Sequence, residues 1–359
     1  MRIAITTGGG DAPGLNAVIR AVVLSATHRG WRCYGIRRGF NGLLEGTGVL
    51  PLGPEEVRGI THQGGTILGT TNRGNPFRWR VTDADGTVRE VDRSDDVVAA
   101  FRASGFDALV AIGGDGTLGI AHDLWKKGLA TVGVPKTIDN DVAGTLFSFG
   151  FDTAVATATD AIDKLHSTAE SHERVMVVEL MGRDAGWIAL HSGISASADV
   201  ILIPEIPFDI ERVCAKIRDR EARGRPFSIV VVAEGARPAG GEQVMQERRQ
   251  AGGADRLGGI GAAVARGIAE RTGKETRTLV LGHLQRGGMP TTFDRLLALR
   301  FGTAAVHAIA EGRLGTMTAF TPPTISLVPL AEVVGRPRQV PVDSDTVRTA
   351  RDLGIALGD

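Results

Sequence analysis

The chain has 359 residues, enough for about two domains with substantial cores. Its 41 basic and 41 acidic residues cancel, so no global field favours nucleic acid or an anionic membrane surface as a partner. The two cysteines, Cys33 and Cys214, have no CxxC spacing, which argues against a disulfide framework or thiolate metal site and predicts a reduced, cytoplasmic setting. No run of about 18 apolar residues predicts a transmembrane helix.

Short apolar strands alternate with helical patterns along the chain. The first strand, RIAITT (2–7), meets a run of glycines rather than the apolar core of a signal peptide, and a helical pattern follows over 16–30. Continuous apolar strands between helices predict an α/β fold of two doubly wound domains, whose mostly parallel sheets are covered on both faces. Further strands are predicted at DALVAIGG (107–114), ATVGVP (130–135), RVMVVELMG (174–182), DVILIPE (199–205), FSIVVVAEG (227–235) and TRTLVLGH (276–283).

Three other segments have distinct patterns. Residues 152–172 predict a long helix with one apolar stripe. Residues 78–92 predict a hairpin that turns at Asp85 and Gly86. The segment 238–259 is polar and rich in glycine, which predicts a surface loop carrying one short helix.

The sequence ITTGGGDAPGLN (5–16) places glycines between the first strand and its helix. Backbone amides in such a turn can face an anion without obstruction by side chains. Gly9 and Gly14 have the GxxxxG spacing of a P-loop, but Leu15 and Asn16 stand where that motif has Lys and Ser or Thr. The motif alone therefore leaves both an anion-binding loop and an ordinary tight turn open.

The sequence AIGGDGTLG (111–119) places Asp115 between glycines at the end of a strand. A carboxylate there can hold Mg²⁺ against phosphate oxygens, while Gly113, Gly114 and Gly116 let phosphates come close. The alternative is that Asp115 only caps the following helix.

The next strand ends in PKTIDND (135–141). On extended backbone Thr137, Asp139 and Asp141 would share one face, and two carboxylates so close need a compensating cation or donor. Because neighbouring parallel strands end at the same edge of a sheet, both motifs are expected to contribute to one ligand crevice.

Six motifs in this order resemble the 6-phosphofructokinase family over roughly residues 1–305. The presence of TNRGNPF (71–77) with PKTIDND is most similar to the subgroup that contains both ATP- and pyrophosphate-dependent members. The six motifs are TGGGDAPGLNAVIR, GGDGT, PKTIDND, ESHERVMVVELMGRDAGWIAL, VVAEG and LGHLQRGG.

The resemblance implies a glycolytic kinase that phosphorylates C1 of fructose 6-phosphate with Mg²⁺ and ATP. It implies that Asp139 is the base, that Thr137 and Asp141 orient the sugar hydroxyl, and that Asp115 is the metal ligand. Arg183 and Arg73 would neutralise the transferred phosphoryl group. The donor-binding residues that it implies are Gly9, Gly10, Arg73, Gly114, Asp115, Gly116, Thr117 and Lys136.

The resemblance also implies a sugar site and an assembly. Arg174 and Arg277 would reach the sugar phosphate from a neighbouring subunit, so a homodimer or homotetramer is expected. Residues 1–150 with about 285–335 would bind the donor, and residues 151–284 with about 336–359 the sugar. The sugar-binding residues that it implies are Thr137, Asp139, Asp141, Arg174, Met181, Gly182, Arg183, Glu234, Arg277, His283 and Arg286.

Two positions disagree on the phosphoryl donor. Pyrophosphate-dependent members of the family have an aspartate where this chain has Gly116, and that carboxylate would repel the α-phosphate of ATP. Lys136 instead resembles the pyrophosphate users, since typical ATP-dependent members have glycine there. Gly116 is the more decisive of the two and favours ATP. The flexible side chain of Lys136 can swing aside, whereas an aspartate at residue 116 could not do so as easily. A pyrophosphate-dependent enzyme is the alternative, and a non-catalytic sensor of nucleotide or sugar phosphate is an alternative of another class.

A lipid or NAD kinase is a weaker alternative, because only GGDGT suggests it.

The family resemblance also bears on regulation. Typical bacterial members bind ADP or phosphoenolpyruvate in a basic interface pocket, and Arg20 matches one of its cations. Leu24 and His166 stand where the pattern has arginine, so little response to either effector is expected.

Overall fold

A computed structural model of the protein describes residues 1–46, 48–247 and 256–359. The chain divides into two compact units. The first comprises Met1–Thr137, Asp141–Asp152 and Arg286–Pro337. The second comprises Ile138–Asn140, Thr153–Gln285 and Arg338–Asp359, so the chain passes more than once between the units.

The strands of the described residues are β1 (Arg2–Thr7), β2 (Arg32–Ile36), β3 (Val49–Leu52), β4 (Trp79–Thr82), β5 (Val88–Val91), β6 (Ala108–Gly113), β7 (Thr131–Pro135), β8 (Val175–Leu180), β9 (Val200–Leu202), β10 (Ser228–Ala233), β11 (Met245–Glu247), β12 (Arg256–Leu257), β13 (Thr276–Val280), β14 (Thr316–Thr321) and β15 (Thr324–Pro329). The helices are α1 (Leu15–His28), α2 (Asn41–Leu44), α3 (Ser94–Ala103), α4 (Asp115–Lys126), α5 (Phe151–Ser171), α6 (Trp187–Ser195), α7 (Ile210–Ala222), α8 (Ile260–Thr272), α9 (Thr292–Ala310), α10 (Leu330–Val333) and α11 (Asp345–Asp352). Short 3-10 turns lie at Pro76–Arg78 and Gly282–Arg286.

The first unit is built on a seven-stranded sheet of order β15-β14-β7-β6-β1-β2-β3. The strands from β14 to β2 are parallel, and β3 and β15 are antiparallel edges. Side chains alternate across the sheet, so Ile3 and Ile5 pack in a cluster with α1 and α9, while Ala4 packs in another with α3 and α4. Both faces are therefore covered.

The second unit contains a four-stranded, fully parallel sheet of order β13-β8-β10-β9. One face packs against α7 and α8 through valines such as Val177 and Val230. The close approach of α6 requires Gly193, because a Cβ there would lie 2.6 Å from Ile201 Cδ1. The expected α/β class of two mostly parallel sheets is confirmed.

The predicted hairpin over 78–92 is present as β4 and β5. In the segment 238–259, the described residues include the antiparallel pair β11 and β12, which was not predicted. Residues 248–255 of that prediction lie outside the described residues. Across the part of the chain that is described, no helix is both long enough and apolar enough to cross a membrane.

Candidate active site

Three adjacent parallel strands of the first unit end together. β1 pairs with β6 up to Thr7 and Ile112, and β6 pairs with β7 up to Gly113 and Pro135. Beyond these ends, the Gly8 amide donates to the Ile112 carbonyl at 3.0 Å, and the Lys136 amide to Gly113 at 2.9 Å. The glycine run, GGDGT and PKTIDND therefore emerge side by side, as the strand pattern predicts.

Thr117 explains two of the glycines. A Cβ at Gly8 would lie 2.6 Å from Thr117 Oγ1, and a Cβ at Gly113 would lie 2.5 Å from the same atom. Only glycine lets both strand ends approach this buried threonine. Gly9 has a left-handed backbone with φ of 78°, which glycine adopts without strain.

Two cations contact the glycine turn after β1. The ammonium of Lys136, whose side chain is buried (residue exposure 3 %), donates to the Gly10 carbonyl. The guanidinium of Arg286 donates to the Asp11 carbonyl at 3.2 Å and lies against Gly10. Positive charge at a glycine turn beyond a strand end is what an anion-binding loop needs. Sequence reasoning assigned Lys136 to the donor and Arg286 to the sugar, and did not predict that both contact this turn.

Asp115 is the first residue of α4 and does not cap it. The N-cap residue is Gly114, which makes no side-chain cap hydrogen bond. Asp115 Oδ1 instead accepts a hydrogen bond from the Gly335 amide at 2.9 Å. A Cβ at Gly116 would point into open space: apart from its chain neighbours and the backbone of α4, no described residue has an atom within 4 Å of it. This open space is next to the acid expected to hold a metal.

The backbone of PKTIDND is not extended throughout, so one expectation is wrong. β7 ends at Pro135, a bend follows at Ile138 and Asp139, and Asn140 has a left-handed φ of 52°. The period-2 alternation that would place the threonine and both aspartates on one face therefore does not apply. Asp139 is 5 % exposed.

The remaining residues of this motif differ in environment. Thr137 is buried and its carbonyl accepts from Ser148 Oγ at 2.9 Å, which holds the backbone after the strand. Asp141 is half-buried.

Arg73 lies in an exposed loop of the first unit. Its amide donates to Thr71 Oγ1 at 3.0 Å, and the carbonyl of Thr71 accepts from the Gly9 amide at 3.1 Å. None of the ion pairs found in the described ranges involves the Arg73 guanidinium. Arg73 thus lies two residues after Thr71, which is bonded to the glycine turn. Its guanidinium charge is available to an anion.

In the second unit, the loop after β8 carries Met181, Gly182 and Arg183. Gly182 has φ of 146° and Arg183 has a left-handed φ of 50°, an uncommon conformation for a residue with a side chain. The Arg183 amide donates to Glu234 Oε1 at 3.1 Å. A Cβ at Gly235 would lie 1.8 Å from the Arg183 carbonyl oxygen, so glycine is required there. VVAEG and MGRDAGW therefore form one local structure.

Arg174 and Arg277 meet at a single carboxylate. Arg174 Nη2 lies 2.9 Å from Glu275 Oε1, and Arg277 also pairs with that oxygen. The hydrogen bond from Arg174 lowers the pKa of Glu275 below its usual range. His283 is exposed in the 3-10 turn that ends at Arg286. Two guanidinium groups that share one carboxylate can also hold a phosphate.

Comparison with known proteins is consistent with this arrangement. The sequence profile of the family described as Phosphofructokinase matches residues 2–309. The chain belongs to the phosphofructokinase family. It is 54 % identical over 361 residues to ATP-dependent 6-phosphofructokinase of Chloroflexus aggregans, with 100 % of this chain and 98 % of the relative covered.

Other relatives differ in their named donor. The chain is 51 % identical over 343 residues to pyrophosphate–fructose 6-phosphate 1-phosphotransferase of Amycolatopsis methanolica, covering 95 % of this chain and 96 % of the relative. A crystal structure of Pichia pastoris phosphofructokinase in the T-state superposes with a TM-score of 0.79 at 31 % identity. That match covers 99 % of this chain and 37 % of the yeast chain.

In this phosphofructokinase, the three residues on which the expectation about effectors rests already make contacts within the chain. Arg20 Nη1 donates to the Val57 carbonyl at 2.9 Å, and Leu24 packs against the apolar core. His166 Nε2 lies 2.7 Å from the Ala196 carbonyl oxygen. Each contact satisfies the side chain within its own unit.

Three residues of this phosphofructokinase that contact the candidate site residues or their loop were not predicted from the sequence: Glu275, Glu205 and Arg338. Glu275 lies in none of the six motifs, although its position two residues before Arg277 could have indicated a pairing. Glu205 contacts the end of the loop that carries Arg183, and Arg338 contacts Trp187 at the start of the following helix, only through the tertiary fold. No local pattern distinguishes either residue from an ordinary surface charge.

Proposed function

We propose that this phosphofructokinase transfers the terminal phosphoryl group of ATP to the C1 hydroxyl of fructose 6-phosphate. The products are fructose 1,6-bisphosphate and ADP. The observation that carries the choice of donor is the open space at Gly116, beside Asp115 and the cationic glycine turn. ATP needs room for its α-phosphate and nucleoside beyond the β- and γ-phosphates, whereas pyrophosphate consists of two phosphates only. The name of the 54 % identical Chloroflexus relative supports the same donor.

The donor residues fit a metal–phosphate complex. Across residues 1–46, 48–247 and 256–359, no three His, Cys, Asp or Glu side chains come together as a metal site. One carboxylate, Asp115, at a strand end fits Mg²⁺, which is commonly held by one or two carboxylates together with substrate phosphates. When bound, Mg²⁺ supplies neutralisation of phosphate charge. Lys136 and Arg286 add fixed positive charge at the glycine turn, beside Gly10 and Asp11.

Asp139 accepts the proton of the C1 hydroxyl. Phosphoryl transfer has a loose transition state, so a positioned carboxylate is sufficient and most of the catalysis is positioning and charge neutralisation. Thr137 and Asp141 orient the sugar hydroxyl, and Arg183 stabilises the charge of the phosphoryl group in flight. The buried setting of Asp139 supports this role, because a carboxylate that is withdrawn from water is held in a defined place.

The sugar phosphate is held by arginines. Arg174, Arg277, His283 and Arg286 bind the 6-phosphate, while Met181, Gly182 and Glu234 contact the sugar. Phosphate replaces Glu275 as the partner of the two guanidinium groups that now share it. The donor residues are assigned to the first unit and most sugar residues to the second, with boundaries near those of the two compact units.

The active form is a homo-oligomer in which Arg174 and Arg277 serve a neighbouring subunit. The edge strand β13 of the second unit supports this, because Val280 is 56 % exposed and Leu284, just beyond it, is 72 % exposed. Large apolar side chains grouped at a sheet edge are typical of an interface. Nucleotide and sugar phosphates are substrates of the cytoplasm, so a cytoplasmic location is expected.

The test is a donor comparison. Purified protein is given fructose 6-phosphate, excess Mg²⁺, and either ATP or pyrophosphate, and fructose 1,6-bisphosphate is measured by a coupled enzyme assay. ATP is expected to give the higher kcat/KM. Lys136 and the Amycolatopsis relative favour pyrophosphate as the second candidate donor. Faster turnover of pyrophosphate would establish that candidate, and no turnover with either donor would favour a non-catalytic sensor.

A further inference from the structure

Glu205 joins two segments of the second unit that are far apart in sequence. It follows β9, and its Oε1 accepts from the Gly186 amide at 3.0 Å and from the Val340 amide at 2.8 Å. Oε2 also lies 3.1 Å from the Gly186 nitrogen. Gly186 ends the loop 181–186 and is the N-cap residue of α6, whereas Val340 belongs to the segment that returns to this unit near the end of the chain. One carboxylate oxygen thus bonds to both segments.

The approach of Glu205 to the loop depends on the glycine. A Cβ at Gly186 would lie 2.4 Å from Ile203 Cβ and 2.8 Å from Glu205 Oε2. Both distances are too short for real atoms, so any larger residue would push the loop away from the glutamate. The contact is therefore built into the local backbone.

The returning segment contacts the same loop region through two further residues. Trp187 Nε1 donates to the Arg338 carbonyl at 3.2 Å, and the Arg338 guanidinium lies 4.4 Å from the centre of the Trp187 ring. Gln339 Nε2 donates to the Asp184 carbonyl at 3.3 Å. Arg338 and Gln339 thus contact the start of α6 and the downstream part of the loop 181–186, which begins at the proposed sugar-binding residues.

The loop needs such support because its backbone is strained. Arg183 has a left-handed φ of 50°, a conformation that is unfavourable for a residue with a Cβ. Glu234 holds the Arg183 amide on the upstream side. The downstream side is held at Gly186 by Glu205. Burial raises the pKa of the Glu205 carboxyl, because the charged form loses its hydration. Keeping the ionised acid at this position therefore lowers the free energy of unfolding.

We propose that Glu205 is a positioning residue, which holds the loop 181–186 against residues 338–340 and so presents Arg183 in the geometry needed for phosphoryl transfer. This inference rests on the proposed function for its catalytic part. Its structural part, the double hydrogen bond of Glu205 to Gly186 and Val340, is independent of which reaction the protein performs.

Three variants test the proposal. Glu205→Ala removes both hydrogen bonds and is expected to lower kcat about ten- to hundredfold, since a misplacement of about 1 Å can cost that much. Its KM for ATP should stay within about threefold, because the donor residues lie in the first unit. Glu205→Gln should keep kcat within about threefold of wild type, because Oε1 alone accepts from both amides. Glu205→Asp, with a shorter reach, should fall between them and covers the case in which Glu205→Ala does not fold.

The matched control is Asp199→Ala. Asp199 is another largely buried acid of the second unit, and it accepts from the Ile229 amide at 2.9 Å and pairs with Arg220 at 2.6 Å. Its loss should lower thermal stability without changing kcat. A fall in kcat for this control equal to that of Glu205→Ala would show that general destabilisation, not positioning, explains the effect.

Hydrogen exchange gives a readout that does not depend on activity. Peptides that contain Gly186 and Val340 should exchange faster in Glu205→Ala than in wild type, and at the wild-type rate in Glu205→Gln. Faster exchange with an unchanged kcat would overturn the positioning role. Unchanged exchange would overturn the contact itself. A wild-type protein without phosphofructokinase activity would instead refute the proposed function, while the exchange result would still decide the contact.

Discussion

Gly116→Asp tests the donor argument directly. Gly116 is exposed in the first turn of α4, and a Cβ there would point into open space. An aspartate near a helix N-terminus is also favourable by charge. The substitution should therefore leave the fold intact and place a carboxylate in the space that we assign to the α-phosphate of ATP.

The size of the effect follows from Coulomb's law. Two unit charges about 5 Å apart repel by about 3 kcal/mol at an effective dielectric constant near 20. Screening by solvent at an exposed position lowers this to about 1–2 kcal/mol. The kcat/KM for ATP should then fall about 5- to 30-fold. Pyrophosphate has no α-phosphate, so its use should change by less than about threefold on the same argument.

The assay measures kcat/KM for both donors at saturating fructose 6-phosphate and Mg²⁺. Gly116→Asn is the matched control, because its amide has nearly the shape of the carboxylate without the charge. It should lose ATP use only to the extent that space, rather than charge, matters. Equal losses for ATP and pyrophosphate in Gly116→Asp would refute the reasoning. So would a wild-type enzyme that prefers pyrophosphate, in which case Lys136 determines the donor.

Three further outcomes are expected. Asp139→Asn should lower kcat by at least about 10², while fructose 6-phosphate binding, measured by calorimetry, stays within a few fold; near-normal turnover would contradict its role as base. Phosphoenolpyruvate and ADP should shift the sugar-phosphate saturation curve little, and a strong shift towards sigmoidal kinetics would contradict this. Burial raises the pKa of Glu205, so its neutral form stabilises the fold at acid pH and that stability is lost as pH rises through the folded-state pKa. Glu205→Gln should therefore be more stable than wild type in urea unfolding at pH 8, with the difference disappearing towards pH 4.

Local sequence patterns determined the class of the fold and the place of its turns. Apolar runs such as RIAITT and FSIVVVAEG are typical of strands buried on both faces. Because helical patterns lie between these runs, the sequence favours parallel pairing of the strands. The edge strands β3 and β15 were not predicted. Both are antiparallel and contain proline, Pro51 and Pro329, which is tolerated at a sheet edge but weakens the strand signal.

The geometry inside the motifs was decided by the tertiary structure. Asn140 breaks the alternation of PKTIDND by taking a left-handed backbone, which a pattern of letters does not reveal. The Lys136 ammonium bonds to a carbonyl 126 residues earlier, and Glu205 bonds to an amide 135 residues later. Periodicity constrains which face a residue occupies over one or two turns. Contacts between residues so far apart depend on how whole strands and helices pack, so only the folded chain determines them.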